Sequence, residues 1–377
     1  VPAPETADPT GPGGPGAPVD VVSLGESMVT LLPSRPGRLA DVPAFTRTIG
    51  GAESNVACAL AAAGHTVRWI SRVGADGFGD HLVEAIGAYG VDTSAVRRDA
   101  DGRPTGIYFR TATDRSTTAH EVAYYRAGSA ASAMSPRTMD RDDLWSGRVL
   151  HLSGITAALS DDCLALMREL SERRAGRPLL SFDVNHRPAL WRDDSGPRVL
   201  LDLARGADLV FVGDDEAAQL WDLHSPQAIR EALPEPAVLV VKAGADGATA
   251  FVRDSGTATG TDTGASTRTG SGVDTVTSVP ALAVDVVAPV GAGDAFAAGF
   301  LSATLRDLPT VARLRHGHLT AAAVLTDAGD VCVPPARAHA DRLAALDDAA
   351  WGSLRLGPGW TSGAGEPGQR REAVPTS

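Results

Sequence analysis

Cysteine is scarce. Cys58, Cys163 and Cys332 are the only three, far apart and without a CxxC spacing, which argues against a zinc site or a disulfide framework and fits a reducing, cytoplasmic setting. Basic residues are outnumbered, 34 Lys and Arg against 46 Asp and Glu, for a formal charge of −12. A surface that coats nucleic acid or anionic membrane needs the opposite surplus, so neither partner is expected. No run approaches the roughly 20 consecutive apolar residues of a membrane helix. The GxxxxGK[ST] pattern of a P-loop is missing, and no repeat period points to a solenoid. Residues 1–18, rich in Pro, Gly and Ala, lack the basic start and apolar run of a secretory signal and read as a disordered tail.

With 377 residues, 43% of them hydrophobic, the chain can bury a large α/β core. Short apolar runs at 21–25, 67–73, 149–152, 179–183, 209–212 and 238–242 read as buried strands. Ala- and Leu-rich stretches of helical spacing lie between them, at 54–63, 80–89, 161–174 and 198–204. Strand alternating with helix predicts a mainly parallel sheet covered on both faces. Two segments break the alternation, about 29–49 and 104–127, and read as extra strands forming a small lid. The Ser-, Thr-, Gly- and Asp-rich stretch 254–277 reads as an expanded hairpin tip, because it has little apolar surface to offset the entropy of ordering. The folded domain is expected over 19–347, and the Gly- and Pro-rich residues 357–377 as a second disordered tail.

Two motifs carry the chemistry. Late in the chain, Gly291-Ala292-Gly293-Asp294 precedes a helical stretch, so its amides can face an anion at a helix start. Asp294 there can take a proton from a substrate hydroxyl while the amides of Gly291, Ala292 and Gly293 stabilise charge on a phosphoryl group. The same string also reads as a glycine loop capped by Asp294. Early in the chain, Gly50-Gly51-Ala52-Glu53-Ser54-Asn55 also precedes a helix; its glycines permit close backbone approach and Asn55 offers a donor and an acceptor to sugar hydroxyls. Alone it reads equally as a helix cap by Ser54 or Glu53.

Together, in this order, the two motifs resemble the ribokinase-like (PfkB) carbohydrate kinases. The resemblance spans about 20–346. Further strings make it most similar to the 2-keto-3-deoxygluconate kinases: Tyr108-Phe109-Arg110, the run from Tyr124 to Ala130, His151-Leu152-Ser153-Gly154-Ile155 and Asp183-Val184-Asn185-His186-Arg187. It implies a three-layer α/β/α sandwich with a mainly parallel central sheet and a β-strand lid. It further implies ATP and Mg²⁺ as cofactors and phosphorylation of a terminal hydroxyl of a sugar acid, with Asp294 as base. The implied substrate contacts are Gly51, Ala52, Asn55, Tyr108, Arg110, Arg126, Arg187 and Asp294. The implied ATP contacts are Asn185, Arg187, Gly213, Lys242, Gly244, Asp246, Gly247, Gly291, Gly293 and His318.

The chemistry agrees with a sugar acid, since Arg110 on the lid can meet a carboxylate with a bidentate pair. Tyr108 and Arg110 also read as an ordinary amphipathic strand, Arg126 as a surface residue, Arg187 as a helix-start ion pair, and 242–248 as a plain hairpin turn. Departures from the family pattern are Gly213, which supplies no side chain, and Ala288 where an acidic residue is common, so no monovalent-cation site is expected. Glu216 is retained and could act on Mg²⁺ through water; no protein metal cage is expected. A fructokinase or other sugar kinase of the same family, and a catalytically silent sugar sensor, are the alternatives. The lid strands also offer an edge that can pair between subunits.

Overall fold

Neighbouring residues of the central strands are buried in pairs, Val21 with Val22, Val149 with Leu150, Leu209 with Val210 and Leu239 with Val240, although successive side chains point to opposite faces. Only a sheet covered on both sides permits this. The computed structural model describes residues 18–35, 37–110, 122–253, 265–269, 272–288, 290–327 and 334–362. Its strands, in chain order, are β1 (Val19–Leu24), β2 (Met28–Pro33), β3 (Phe45–Gly50), β4 (Val67–Ile70), β5 (Arg72–Gly74), β6 (Arg97–Asp99), β7 (Ile107–Arg110), β8 (Val122–Tyr125), β9 (Gly147–Ser153), β10 (Leu179–Asp183), β11 (Leu209–Gly213), β12 (Val238–Lys242), β13 (Ala248–Arg253), β14 (Ala265–Thr269) and β15 (Gly272–Val279).

Nine of these form one sheet in the order β14-β15-β13-β12-β11-β10-β9-β1-β4. From β4 across to β12 every pairing is parallel, whereas β13, β15 and β14 add antiparallel strands at one edge. On one face Val21, Val149, Phe211 and Val240 pack against the helices Ala52–Ala62, Ala292–Leu305 and Thr310–Leu325. On the other, Val22, Leu150, Phe182, Val210 and Val241 pack against Asp161–Ser171, Gly196–Gly206 and Asp214–Trp221. The result is the expected three-layer sandwich. The segments that broke the strand–helix alternation form a separate sheet, β3-β2-β7-β8, in which β2 and β7 are parallel.

Two sequence expectations are corrected. Of the stretch read as a hairpin tip, residues 254–264 and 270–271 lie outside the described residues, but β14 and β15 are strands of the main sheet. Asp274 on β15 is buried and receives 2.8 Å hydrogen bonds from Nε and Nη2 of Arg230, itself fully buried on the helix Pro226–Ala232. Backbone pairing, the Arg230–Asp274 ion pair and Val276 packed on the core order a segment whose composition promised no core. The folded region also runs past 347. The helix Asp348–Ser353 buries Trp351, Arg355–Leu356 pairs with Ala283–Val284, and Trp360 Nε1 donates to Thr326 Oγ1 at 3.1 Å. The tail expectation for 1–18 falls outside the described residues apart from Pro18, as does 363–377.

Asp274→Ala leaves the Arg230 guanidinium buried without its partner. Unfolding in urea should then show a loss of about 3–5 kcal/mol, whereas an unchanged midpoint would return 272–277 to the status of a tip.

Candidate active site

In an open, mainly parallel sheet, ligands bind beyond the carboxyl ends of the strands. Here those ends carry Ser153, Asp183, Gly213 and Lys242, with Asn185 just after β10. Against them lies the start of the helix Ala292–Leu305. Gly291 precedes it with φ 79°, the left-handed conformation that glycine adopts without strain, and its carbonyl accepts from Ala295 N at 2.9 Å. That turn sets Asp294 in the first helical turn, where the helix dipole favours negative charge.

Two amides hold the carboxylate. Asn55 Nδ2 donates to Oδ2 at 2.9 Å and Asn185 Nδ2 to Oδ1 at 3.3 Å. Asn55 Oδ1 is buried without a hydrogen-bond partner, an acceptor aligned beside the carboxylate. Asn185 takes φ 38°, a region that Asn tolerates better than most residues. Burial pushes the Asp294 carboxyl up to about 6; the Asn55 hydrogen bond opposes the rise, the Asp183 charge adds to it, and Lys242 and Arg187 oppose it. A carboxylate poised there is ionised at neutral pH yet basic enough to accept a proton.

Lys242 Nζ bridges both oxygens of Asp183, at 3.1 and 2.9 Å. Glu216 accepts from His186 N and Gly213 N, each at 2.9 Å, and so ties the loop after β10 to the end of β11. Behind Asn55, Glu53 is fully buried: its Oε1 accepts from Ser153 Oγ at 2.7 Å and Thr156 Oγ1 at 2.9 Å, while its Oε2 has no partner. Burial pushes Glu53 up to about 7 against those hydroxyl bonds, with the Asp294 charge adding to the rise. The lid contributes Tyr108, buried with its ring 5.4 Å from that of Tyr124, and half-buried Arg110. Arg126 pairs with Glu26, whose other oxygen accepts from Ser129 Oγ at 2.5 Å.

The model of the pfkB family of carbohydrate kinases matches residues 19–336. The chain belongs to this family. It is 33% identical over 327 residues to a 2-dehydro-3-deoxygluconokinase of Bacillus subtilis (strain 168), covering 85% of this chain and 93% of that one. It is likewise 33% identical over 329 residues to a 2-dehydro-3-deoxygluconokinase of Thermoproteus tenax, with coverages of 86% and 94%. A solved PfkB protein from Polaromonas sp. JS666 superposes with a TM-score of 0.70 at 34% identity, over 86% of this chain and 99% of that one. The fold is therefore the ribokinase-like one, and this pfkB kinase chain spans nearly the full length of those relatives.

The pfkB motifs meet in space as their order implied: Asn55, Asn185, Arg187, Lys242 and Asp294 share one neighbourhood. Arg187 is exposed and donates to His186 O at 2.9 Å. Gly51 has a packing reason of its own, since a Cβ there would stand 2.5 Å from Glu26 O, and Ala52 is buried. Ser54 and Glu53 do not cap the helix Ala52–Ala62: Ser54 Oγ bonds Gly51 O and Ser27 Oγ, and Glu53 turns inward. Gly213 precedes the helix Asp214–Trp221. Gly244, Asp246 and Gly247 form the β12–β13 turn, where both glycines have positive φ.

The expectation for His318 is corrected: it is 7% exposed, wedged between Phe296 and Trp351, with Nε2 3.3 Å from Val279 O. Burial pushes it down to about 4, as for a neutral core imidazole. The reading from sequence missed Glu53 as a buried acid and the Lys242–Asp183 pair. Glu53 beside two glycines looked like a cap, and nothing local pairs β10 with β12.

Glu53 binds its proton more tightly folded than unfolded, so its share of stability is complete below about 4.5 and is lost as pH rises towards about 7. Glu53→Gln mimics the protonated form. Its melting temperature should gain on wild type progressively across that range, by up to about 3 kcal/mol in stability; a difference independent of pH contradicts the assignment.

Proposed function

We propose that this protein transfers the γ-phosphoryl group of ATP to the terminal primary hydroxyl of a sugar acid, 2-keto-3-deoxygluconate, giving the 6-phosphate. The observation that carries the reading is Asp294 itself, a carboxylate in the first turn of a helix, gripped by Asn55 and Asn185 at the carboxyl edge of the sheet. In this role Asp294 takes the proton of the attacking hydroxyl, while the amides of Gly291, Ala292 and Gly293 face the charge that develops on the transferred group. Asn55 Oδ1 accepts from a neighbouring sugar hydroxyl.

Arg110 and Tyr108 on β7, backed by Arg126, are the lid groups that meet the acid end of the sugar, with Gly51 and Ala52 forming the floor. A carboxylate is the acceptor a guanidinium suits best, and that favours a sugar acid over a neutral sugar. The two 2-dehydro-3-deoxygluconokinases among the relatives support the same substrate. ATP is assigned to the side of Gly213 and the 244–247 turn, with Asn185 and Arg187 at its phosphates. Magnesium suits this site as an ion carried in by the nucleotide: Asp183 is occupied by Lys242, Glu216 by two amides, and the described residues hold no cluster of three acidic, His or Cys side chains.

The test is ADP release with 2-keto-3-deoxygluconate, its galactose-derived epimer, fructose and ribose. The sugar acids should be turned over with much the highest kcat/KM, and Arg110→Met should raise their KM more than it lowers kcat. Preference for fructose or ribose would overturn the substrate; sugar binding without turnover would favour a sensor.

The lid's outer strand leaves Val122, Tyr124 and Tyr125 44%, 53% and 64% exposed, and among the described residues β8 pairs only with β7. We propose that two copies associate through this edge. Light scattering should give a dimer that Tyr125→Lys converts to monomer; a monomeric wild type contradicts this.

A further inference from the structure

Among the 34 basic residues of the chain, Lys242 is the only lysine; all the others are arginine. Arginine supplies the other strong cations of the chain, including fully buried Arg68 and Arg230. At one position the chain keeps a compact ammonium, and that position lies at the floor of the transfer site.

Lys242 ends β12 with its side chain 18% exposed. Nζ is fixed by both oxygens of Asp183 on β10. A Cβ built on Gly293 would stand 3.5 Å from that nitrogen, with no nearer neighbour, so Lys242 sits directly under the turn that presents Asp294. A guanidinium is planar and wider, and would carry its bulk into that turn.

The charges around Asp294 come from five elements. The helix Ala52–Ala62 contributes Glu53 and the amide of Asn55, β10 contributes Asp183, the loop after it Asn185 and Arg187, and β12 contributes Lys242; Glu216, at the start of the helix Asp214–Trp221, acts on Lys242. Carboxylates dominate, and Arg187 is exposed, which leaves Lys242 as the more sheltered cation of the group. Burial works against its ammonium, but Asp183, Glu216 and Asp294 together hold it above the ordinary lysine value, so it stays charged.

We propose that Lys242 is a positioning residue of phosphoryl transfer: clamped by Asp183 beneath the Gly291 to Gly293 turn, it is the fixed counter-charge that lets Asp294 ionise, and not a ligand of the nucleotide. The proposal rests on Asp294 acting as the base.

Two measurements on the full chain test it. The first is the pH profile of kcat with the preferred sugar acid. Lys242→Met should move the acidic limb up by about one unit, and Asp183→Asn should move it down. The double variant, which replaces the pair by neutral groups, should return the limb towards wild type. Lys242→Arg should keep the limb and lower the plateau, while KM for ATP stays unchanged in Lys242→Met. If Lys242→Met leaves the limb in place and raises KM for ATP instead, Lys242 is a nucleotide ligand and the proposal fails.

The second needs no turnover. Protein labelled with ¹³C,¹⁵N-lysine gives one side-chain ammonium resonance, and Asp294→Asn should shift it at pH 8, where Asp294 is ionised. A resonance indifferent to that substitution overturns the proposal even if no sugar is phosphorylated. A shifted resonance in a protein that phosphorylates none of the sugars would uphold the coupling while the kinase reading failed.

Discussion

The carboxylate of Asp294 is drawn partly out of water by the same packing that brings the Gly291 turn down onto the ends of β10 and β12, and the amides and cations around it offset that cost. Two amides satisfy its oxygens from segments far apart in the chain, Asn55 lying 239 residues away and Asn185 109. Lys242 and Arg187 offset its charge, while Asp183 and Glu53 work against it. The balance leaves an acid that releases its proton slightly below neutrality, which is the range a general base needs.

The scaffold follows from that requirement. Parallel strands bring their carboxyl ends to one edge, and buried faces on both sides of the sheet hold the helices Ala52–Ala62 and Ala292–Leu305 side by side, so that Asn55 and Asp294 meet. Glycine is required at Gly291 by its left-handed backbone and at Gly51 by the approach of Glu26. The lid sheet is built from strands inserted between the first helices and strands of the frame, and places Tyr108 against Gly50, whose Cβ would stand 2.3 Å from the tyrosine hydroxyl.

Much of this was legible in the sequence, because the features that carry it are local. Short apolar runs gave β1, β10, β11 and β12, and the strings around Gly50 and Gly291 pointed to Asn55 and Asp294. What was hidden depended on contacts between distant residues. Strands β14 and β15 have a weak apolar pattern; pairing of β15 to β13 and of β14 to β15, the Arg230–Asp274 ion pair and the packing of Val276 and Val279 hold them in place. Trp351 buries the helix beyond 347, and Trp360 anchors the start of the 357–377 stretch whose glycines and prolines suggested a free tail. Glu53 faces inward because Gly25 leaves room for its carboxyl, and His318 packs inward between two aromatics, neither of which the neighbouring residues reveal.

The central claim, that Asp294 is the base of a phosphoryl transfer, is tested most directly by Asp294→Asn. The amide keeps the shape of the side chain and one of its two accepting oxygens while removing basicity. Single-turnover transfer from ATP to the preferred sugar acid should slow by about 10²–10⁴-fold, with sugar affinity measured by calorimetry nearly unchanged. A variant that transfers phosphoryl at the wild-type rate would contradict the account.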